Sequence, residues 1–304
     1  METNASLLSI KMFDITKIRK HSKIAVIGKR GSGKTTFVQH ILPYISDLNL
    51  SNCTIIAPND IFSKTYSSKF VTDTNSNNQL STNPTPNYQL SDRKFATMAQ
   101  LKDLLCQVKM KNVYYKYETN QILKIMNTQE KRYEQQYDQY TQQREQQCEQ
   151  QNEQQHRRKI NINHVLVMDD CIYSKGQLIT DANLQQLFLN GKQYQISLII
   201  TFQYPTYIPL QMRYNIDYVC LVADDNMLSV RKIYETYGNY FPNFELFREL
   251  FIELTKNYGI MIIDNKVGLN ATINDTIFWY KVDTKKNNLE DQINNNLENN
   301  KIIN

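Results

Sequence analysis

Apolar positions along this chain fall into two kinds of run. Short stretches that are apolar almost without interruption recur at Ile24-Ala25-Val26-Ile27, Cys53-Thr54-Ile55-Ile56-Ala57, His164-Val165-Leu166-Val167-Met168, Ser197-Leu198-Ile199-Ile200-Thr201-Phe202 and Tyr218-Val219-Cys220-Leu221-Val222. A strand of that kind has no solvent face, so the pattern predicts a mainly parallel sheet covered by helices on both sides. Helical spacing marks the segments between them: Thr36 to Leu42, which Pro43 should stop within a turn or so, residues 98–108, Leu178 to Leu189 ending on an Asn190-Gly191 cap, Met227 to Tyr237 and Phe244 to Lys256. Strand, helix, strand at this spacing implies βαβ units. A short strand is expected over Asn112 to Tyr115. The runs Gly259 to Ile263 and Thr276 to Lys281 read as a closing antiparallel pair, the second alternating as an edge strand does. Residues 1–22 carry a weaker pattern around Ile10, Met12, Phe13 and Ile15 that fits a lead-in with an edge strand.

The polar stretches set the outer organisation. Residues 72–94 are dense in Asn, Thr, Ser, Asp and Pro without periodicity and read as a mobile surface loop. From Glu118 a long polar helix is expected. In it Ile122, Ile125 and Met126 give way to Tyr133, Tyr137 and Tyr140 inside a Gln/Glu-rich insertion over residues 129–158. That insertion reads either as an arm that touches a neighbouring subunit or DNA, or as a glutamine tract expanded in a tolerant, exposed surface helix. Residues 283–304 are Asn- and Lys-rich and expected to be disordered. The chain then divides into a lead-in, one α/β domain over residues 23–282, and a tail.

Composition narrows the class without deciding it. A formal net charge of +5 and a pI near 8.7 are mildly basic, with one dense block at His156-Arg157-Arg158-Lys159, which is compatible with nucleic acid. The 5 cysteines show no CxxC spacing and the 4 histidines do not cluster with them, so neither a zinc site nor a disulfide framework is indicated, and a reducing compartment is expected. No N-terminal leader is legible and no run nears the roughly 18 apolar residues that span a bilayer, so a soluble protein is expected.

The candidate chemistry sits at the ends of the apolar runs. Gly28-Lys29-Arg30-Gly31-Ser32-Gly33-Lys34-Thr35 follows the first strand and opens the first helix, the context that a P-loop requires. Glycines let backbone N–H groups turn inward around a triphosphate at the positive end of the helix. In that reading Gly28, Lys29, Arg30, Gly31, Ser32, Gly33, Lys34, Thr35 and Thr36 bind ATP. Lys34 reaches the β- and γ-phosphates, and Thr35 holds Mg²⁺. The 164–168 run ends in Asp169-Asp170, of which Asp169 is the expected second Mg²⁺ ligand and Asp170 the group that orients or deprotonates the attacking water. The alternative is a strand cap that begins a turn. Gln203, at the tip of the next strand, is expected to sense the γ-phosphate or hold that water, the alternative being a plain strand-end hydrogen bonder.

Beyond Asp169-Asp170-Cys171 the chain resembles one family. Leu187-Phe188-Leu189-Asn190-Gly191-Lys192-Gln193-Tyr194, Ile199-Ile200-Thr201-Phe202-Gln203-Tyr204-Pro205, Ile208-Pro209 and Met212-Arg213-Tyr214-Asn215-Ile216-Asp217-Tyr218, with Phe278-Trp279-Tyr280 near the end, are similar to the poxvirus-type genome-packaging ATPases of large eukaryotic DNA viruses, within the FtsK/HerA superfamily. The resemblance covers roughly residues 20–282 apart from the insertion. It implies a RecA/FtsK-HerA-like P-loop NTPase fold and an ATP-driven homo-oligomeric ring that threads double-stranded DNA into a capsid. It also implies a capsid portal or vertex protein as partner, and a place in the host cytoplasm or viral factory or with the virion. Family members commonly carry Arg-His where this chain has Lys192-Gln193, so Lys192 keeps the charge without the planar fork. Arg213 matches the family and is the preferred finger acting on a neighbour's ATP, Lys192 the weaker candidate. Both are expected on the ligand-binding edge, and an ion pair with Asp217 is the competing role for Arg213. Other functions in view are an assembly protein that binds nucleotide without turnover, a cellular HerA-like translocase, and a small-molecule kinase, for which neither an acceptor pocket nor a lid arginine cluster is legible.

Overall fold

The structure, a computed structural model, describes residues 10–46, 52–66, 112–147, 162–267 and 271–282, with side chains in the longest helix described as far as residue 142. Nine strands are described: β1 (Lys11–Met12), β2 (Lys23–Ile27), β3 (Cys53–Ile56), β4 (Val113–Tyr114), β5 (His164–Met168), β6 (Ile196–Phe202), β7 (Tyr218–Val222), β8 (Gly259–Asp264) and β9 (Ile277–Lys281). The described helices are α1 (Lys34–Ile45), α2 (Asp60–Ser63), α3 (Thr119–Gln147), α4 (Lys175–Thr180), α5 (Ala182–Asn190), α6 (Leu210–Arg213), α7 (Met227–Tyr237), α8 (Phe244–Thr255) and α9 (Ile273–Thr276).

The strands form one sheet in the order β1-β9-β8-β7-β2-β6-β5-β3-β4, parallel except where β8 runs against β7 and β9. Every residue of β2, β5, β6 and β7 is buried, as their unbroken apolar runs require. Alternate side chains feed two cores. Ala25, Ile27, Leu166 and Met168 share one face with α3, α5, α7 and α8, and Ile24, Val26, Val165 and Val167 share the other with α1. This is the fold of a P-loop NTPase, a mostly parallel sheet flanked by helices with the glycine loop at the tip of its central strand.

Most expected elements stand where the periodicity put them, including β1 as a short edge strand and β8 with β9 as an antiparallel pair. The single helix expected over Leu178 to Leu189 is two, α4 and α5. Asp181 separates them: its backbone N–H still bonds back to Gln177 O, while its carboxylate turns forward to accept from Leu184 N at 3.0 Å and from the Thr119 hydroxyl at 2.7 Å. Gly191 caps α5 in a right-handed conformation, so the glycine C-cap ends the helix without a left-handed turn. The long polar helix is α3, where Ile122 and Met126 are buried on the core. Gln129, expected to be exposed in the insertion, is fully buried, because its amide donates to Ile162 O at 2.5 Å and Tyr194 O at 3.1 Å. Further along, Tyr133 and Tyr137 stack with centroids 6.3 Å apart. The 72–94 loop, the 98–108 helix, residues 148–158 of the insertion and the 283–304 tail lie outside the described residues. Among the described residues no helix is long and apolar enough to cross a membrane, and no cluster of three His, Cys, Asp or Glu is suited to a metal.

Candidate functional site

The loop after β2 owes its shape to its three glycines, Gly31 among them at a left-handed φ of 78°. Gly28 continues the ladder by donating to Phe202 O at 3.0 Å, and a Cβ there would come within 2.1 Å of Val222 Cγ2, so the tip of β7 leaves no room for a side chain. Gly33 caps α1 at φ 91°, in the left-handed region that glycine occupies without strain. Between them Ser32 Oγ donates to Lys29 O at 2.6 Å, and Lys29 pairs with Asp225 at 2.5 Å on the exposed side. Lys34 is buried under the loop, its ammonium donating to Gly28 O and Lys29 O at 2.8 Å each. Burial pushes its pKa below the ordinary lysine value, while Asp170 and Asp169 pull it back up.

The two carboxylates at the tip of β5 have different surroundings. Asp169 is buried and accepts three hydroxyls: Thr35 Oγ1 at 2.7 Å and Tyr66 Oη at 2.8 Å on Oδ2, and Thr201 Oγ1 at 2.7 Å on Oδ1. Asp170 turns away at φ 78°, a left-handed conformation that costs a non-glycine residue roughly 1 kcal/mol and marks a chain held by its neighbours. Its Oδ1 accepts from Gln203 Nε2 at 2.9 Å and its Oδ2 from Asn59 Nδ2 at 2.8 Å.

A cleft of about 610 Å³ opens over the loop, walled by residues Arg30 to Thr36, both aspartates, Asn59, Tyr66 and Lys281. Gln203 reaches it only through Asp170. The exposed Tyr258, in a left-handed turn before β8, stands close to Gly33. The structure thus places Gly28 to Thr36, Asp169 and Asp170 around one cleft, with Gln203 behind Asp170 rather than in the cleft wall.

Arg213 and Lys192 are elsewhere. The chain leaves β6 at the loop edge and crosses back, so α6 lies near the start of β7 on the opposite edge of the sheet. There Arg213 Nη1 contacts Thr236 O at 3.5 Å, at the far end of α7. Lys192 lies in the turn before β6, near Lys23 at the start of β2, whose ammonium pKa is lowered chiefly by burial, with Lys266 and Lys192 adding small repulsions. Their expected place on the ligand-binding edge is therefore wrong for both, because each precedes a strand rather than following one. Nor does Arg213 pair with Asp217, whose carboxylate is taken by Lys23 N at 2.7 Å and Lys266 at 3.3 Å.

Four residues of the site were not foreseen from sequence: Thr201, Tyr66, Asn59 and, on the cleft wall, Lys281. Thr201 carried a signal, since a hydroxyl inside an apolar run must find a buried partner. Tyr66, whose phenol is held far above its usual pKa by burial and by Asp169, and Asn59 come from the chain after β3 and carry none.

No family model matches the chain. An uncharacterized protein of Acanthamoeba polyphaga mimivirus is 24% identical over 283 residues, which is 93% of this chain and 80% of that protein. An uncharacterized protein of Invertebrate iridescent virus 6 is 30% identical over 118 residues, 39% of this chain and 45% of that protein, so the match spans less than half of its length. These relatives are proteins of large DNA viruses. Among solved structures, the DNA-packaging ATPase from Sulfolobus turreted icosahedral virus is 17% identical with a TM-score of 0.48, over 87% of this chain and 98% of that one.

Proposed function

We propose that this protein is an ATP-hydrolysing motor of the FtsK/HerA genome-packaging type that moves double-stranded DNA as a homo-oligomeric ring. The observation that carries its nucleotide half is the 2.7 Å hydrogen bond from Thr35 Oγ1 to Asp169 Oδ2, which sets a hydroxyl at the start of α1 beside a strand-tip carboxylate directly over the glycine loop. These are hard oxygen donors of the kind that suit Mg²⁺, and the ion, when bound, neutralises charge on the β- and γ-phosphates. The chain does the rest. Loop N–H groups hold phosphate oxygens at the positive end of α1, and Lys34 exchanges two carbonyl partners for phosphate oxygens. Asp170 orients the attacking water and takes its proton on a carboxylate oxygen, with Gln203 steadying that carboxylate.

The DNA half is supported by the resemblance over residues 187–218 and by the viral relatives. Arg213 and Lys192 stand too far from their own cleft to serve it, so either acts only on a neighbour's ATP in a ring. Arg30 and Lys281 already line this one. The test is ATP hydrolysis by the full chain with and without duplex DNA. Hydrolysis stimulated by the duplex is expected. Tight nucleotide binding without turnover makes the protein an assembly factor, and phosphate transfer to a small molecule makes it a kinase.

A further inference from the structure

Asp170 is bracketed from both sides of its strand. In the sheet, β5 lies between β6 and β3, and each neighbour sends one amide from its tip: Gln203 to Oδ1 and Asn59 to Oδ2. A carboxylate turns freely about its last torsion, whose energy profile is broad, and one donor leaves that rotation open. Two donors on different oxygens from opposite sides fix the plane. Asn59 is committed to this task at a cost to its local one. It occupies the N-cap of α2, where an asparagine ordinarily folds its side chain back on the helix N–H groups, yet it makes no such bond. The base of α2 is held independently. The buried Asp60 carboxylate accepts Tyr66 N at 2.7 Å, and the Tyr66 hydroxyl lies on Asp169. Asn59 therefore hangs from an anchored segment and reaches the one carboxylate that the segment does not otherwise touch.

We propose that Asn59 is the positioning residue for Asp170, setting the carboxylate plane from which the attacking water is oriented. This rests on the reading of Asp170 as the group that handles that water. Because the amide is solvent-exposed and its partner Asp170 only half-buried, their bond contributes little to folding, so rate and stability should separate in a variant.

The experiment is a cycle of the full chain, Asn59→Ala, Asp170→Asn and the double variant, measuring kcat, KM, affinity for a fluorescent non-hydrolysable ATP analogue with Mg²⁺, and melting. Asn59→Ala should lower kcat by about 10- to 100-fold, as loss of a partner that orients an active-site ligand commonly does, with analogue affinity and melting near wild type. In the Asp170→Asn background the same change should lower kcat by less than about two-fold, since its effect runs through that carboxylate. Wild-type kcat in Asn59→Ala, or an equal loss in both backgrounds, overturns the proposal while leaving the ATPase reading in place. A fully active Asp170→Asn removes the role of Asp170 and this proposal with it. A parent chain that binds the analogue but never hydrolyses ATP overturns the enzymatic reading itself.

Discussion

The two edges of the sheet are built from similar side chains and differ in how their charges are spent. At the edge where β2, β5 and β6 end, Asp169 and Asp170 are met by hydroxyls and amides, and Lys34 by backbone carbonyls. Among the described residues no ion pair reaches any of the three, and the backbone is held in left-handed conformations at Gly31, Gly33 and Asp170. At the opposite edge Asp264 and Asp217 are each matched by a cation, while Arg213 meets, among the described residues, only the Thr236 carbonyl. Arg19 grips Asp264 through both guanidinium nitrogens, at 3.2 and 3.0 Å, and lies over the Tyr218 ring, while Asp217 takes the Lys23 amide and Lys266. Side chains left without a charge partner are available to a ligand; paired ones are committed to the fold. The first edge should therefore lose activity without losing stability when altered, and the second should do the reverse.

The largest effect is expected at Lys34. Lys34→Ala should lower ATP turnover by about 10²- to 10³-fold or more, the range for losing one preorganised charge partner of a transition state. Melting should stay within a few degrees of wild type, because the ammonium it removes was desolvated and bound only to carbonyls. Turnover near wild type in this variant breaks the assignment of the first edge. Asp170→Asn comes next: turnover should fall by about 100-fold while nucleotide and Mg²⁺ still bind through Thr35 and Asp169. Since asparagine tolerates φ 78° at least as well as aspartate, stability should hold. Loss of nucleotide binding instead would exchange the roles of the two aspartates.

The reverse case is Asp217→Ala, which strands the buried Lys23 N–H. It should cost about 2 kcal/mol in denaturant unfolding, with turnover per folded molecule unchanged. A drop in turnover at full stability would mean that the second edge reaches the chemistry.

The same contrast explains what the chain's pattern made legible. The β2, β5, β6 and β7 runs and the glycine loop were readable because burial on both faces and the left-handed turns impose residue types locally. Lys34, Thr35, Asp169 and Gln203 followed, each sitting next to such an element. Asn59 and Tyr66 were not readable, because their contacts to Asp170 and Asp169 join positions more than a hundred residues apart through the order of strands in the sheet. Arg213 and Lys192 were misplaced for the related reason that a basic residue between two apolar runs does not say at which edge the chain has turned.

The smallest expected effect lies at the start of β5 and tests the second edge by pH. His164 is buried, with its Nε2 beside the Thr54 hydroxyl at 3.1 Å. Burial, with Arg132 adding repulsion, brings its pKa down to about 4 from 6.5. The folded protein thus keeps this ring neutral across the range in which the unfolded chain protonates it. Its contribution to stability is full above pH 6.5 and is lost as the pH falls toward 4, because protons then bind the unfolded state preferentially. At pH 5.5 the loss from this one group should be about 1 kcal/mol, before carboxylate protonation dominates. Urea unfolding of the wild type and of His164→Gln at pH 7.5 and 5.5 isolates it: the wild type should lose about 1 kcal/mol more than the variant over that interval. His40, also depressed by burial, is present in both and cancels. Equal losses in the two proteins would mean that the ring takes up its proton inside the fold, and the second edge would then hold a titrating group where the comparison requires a closed one.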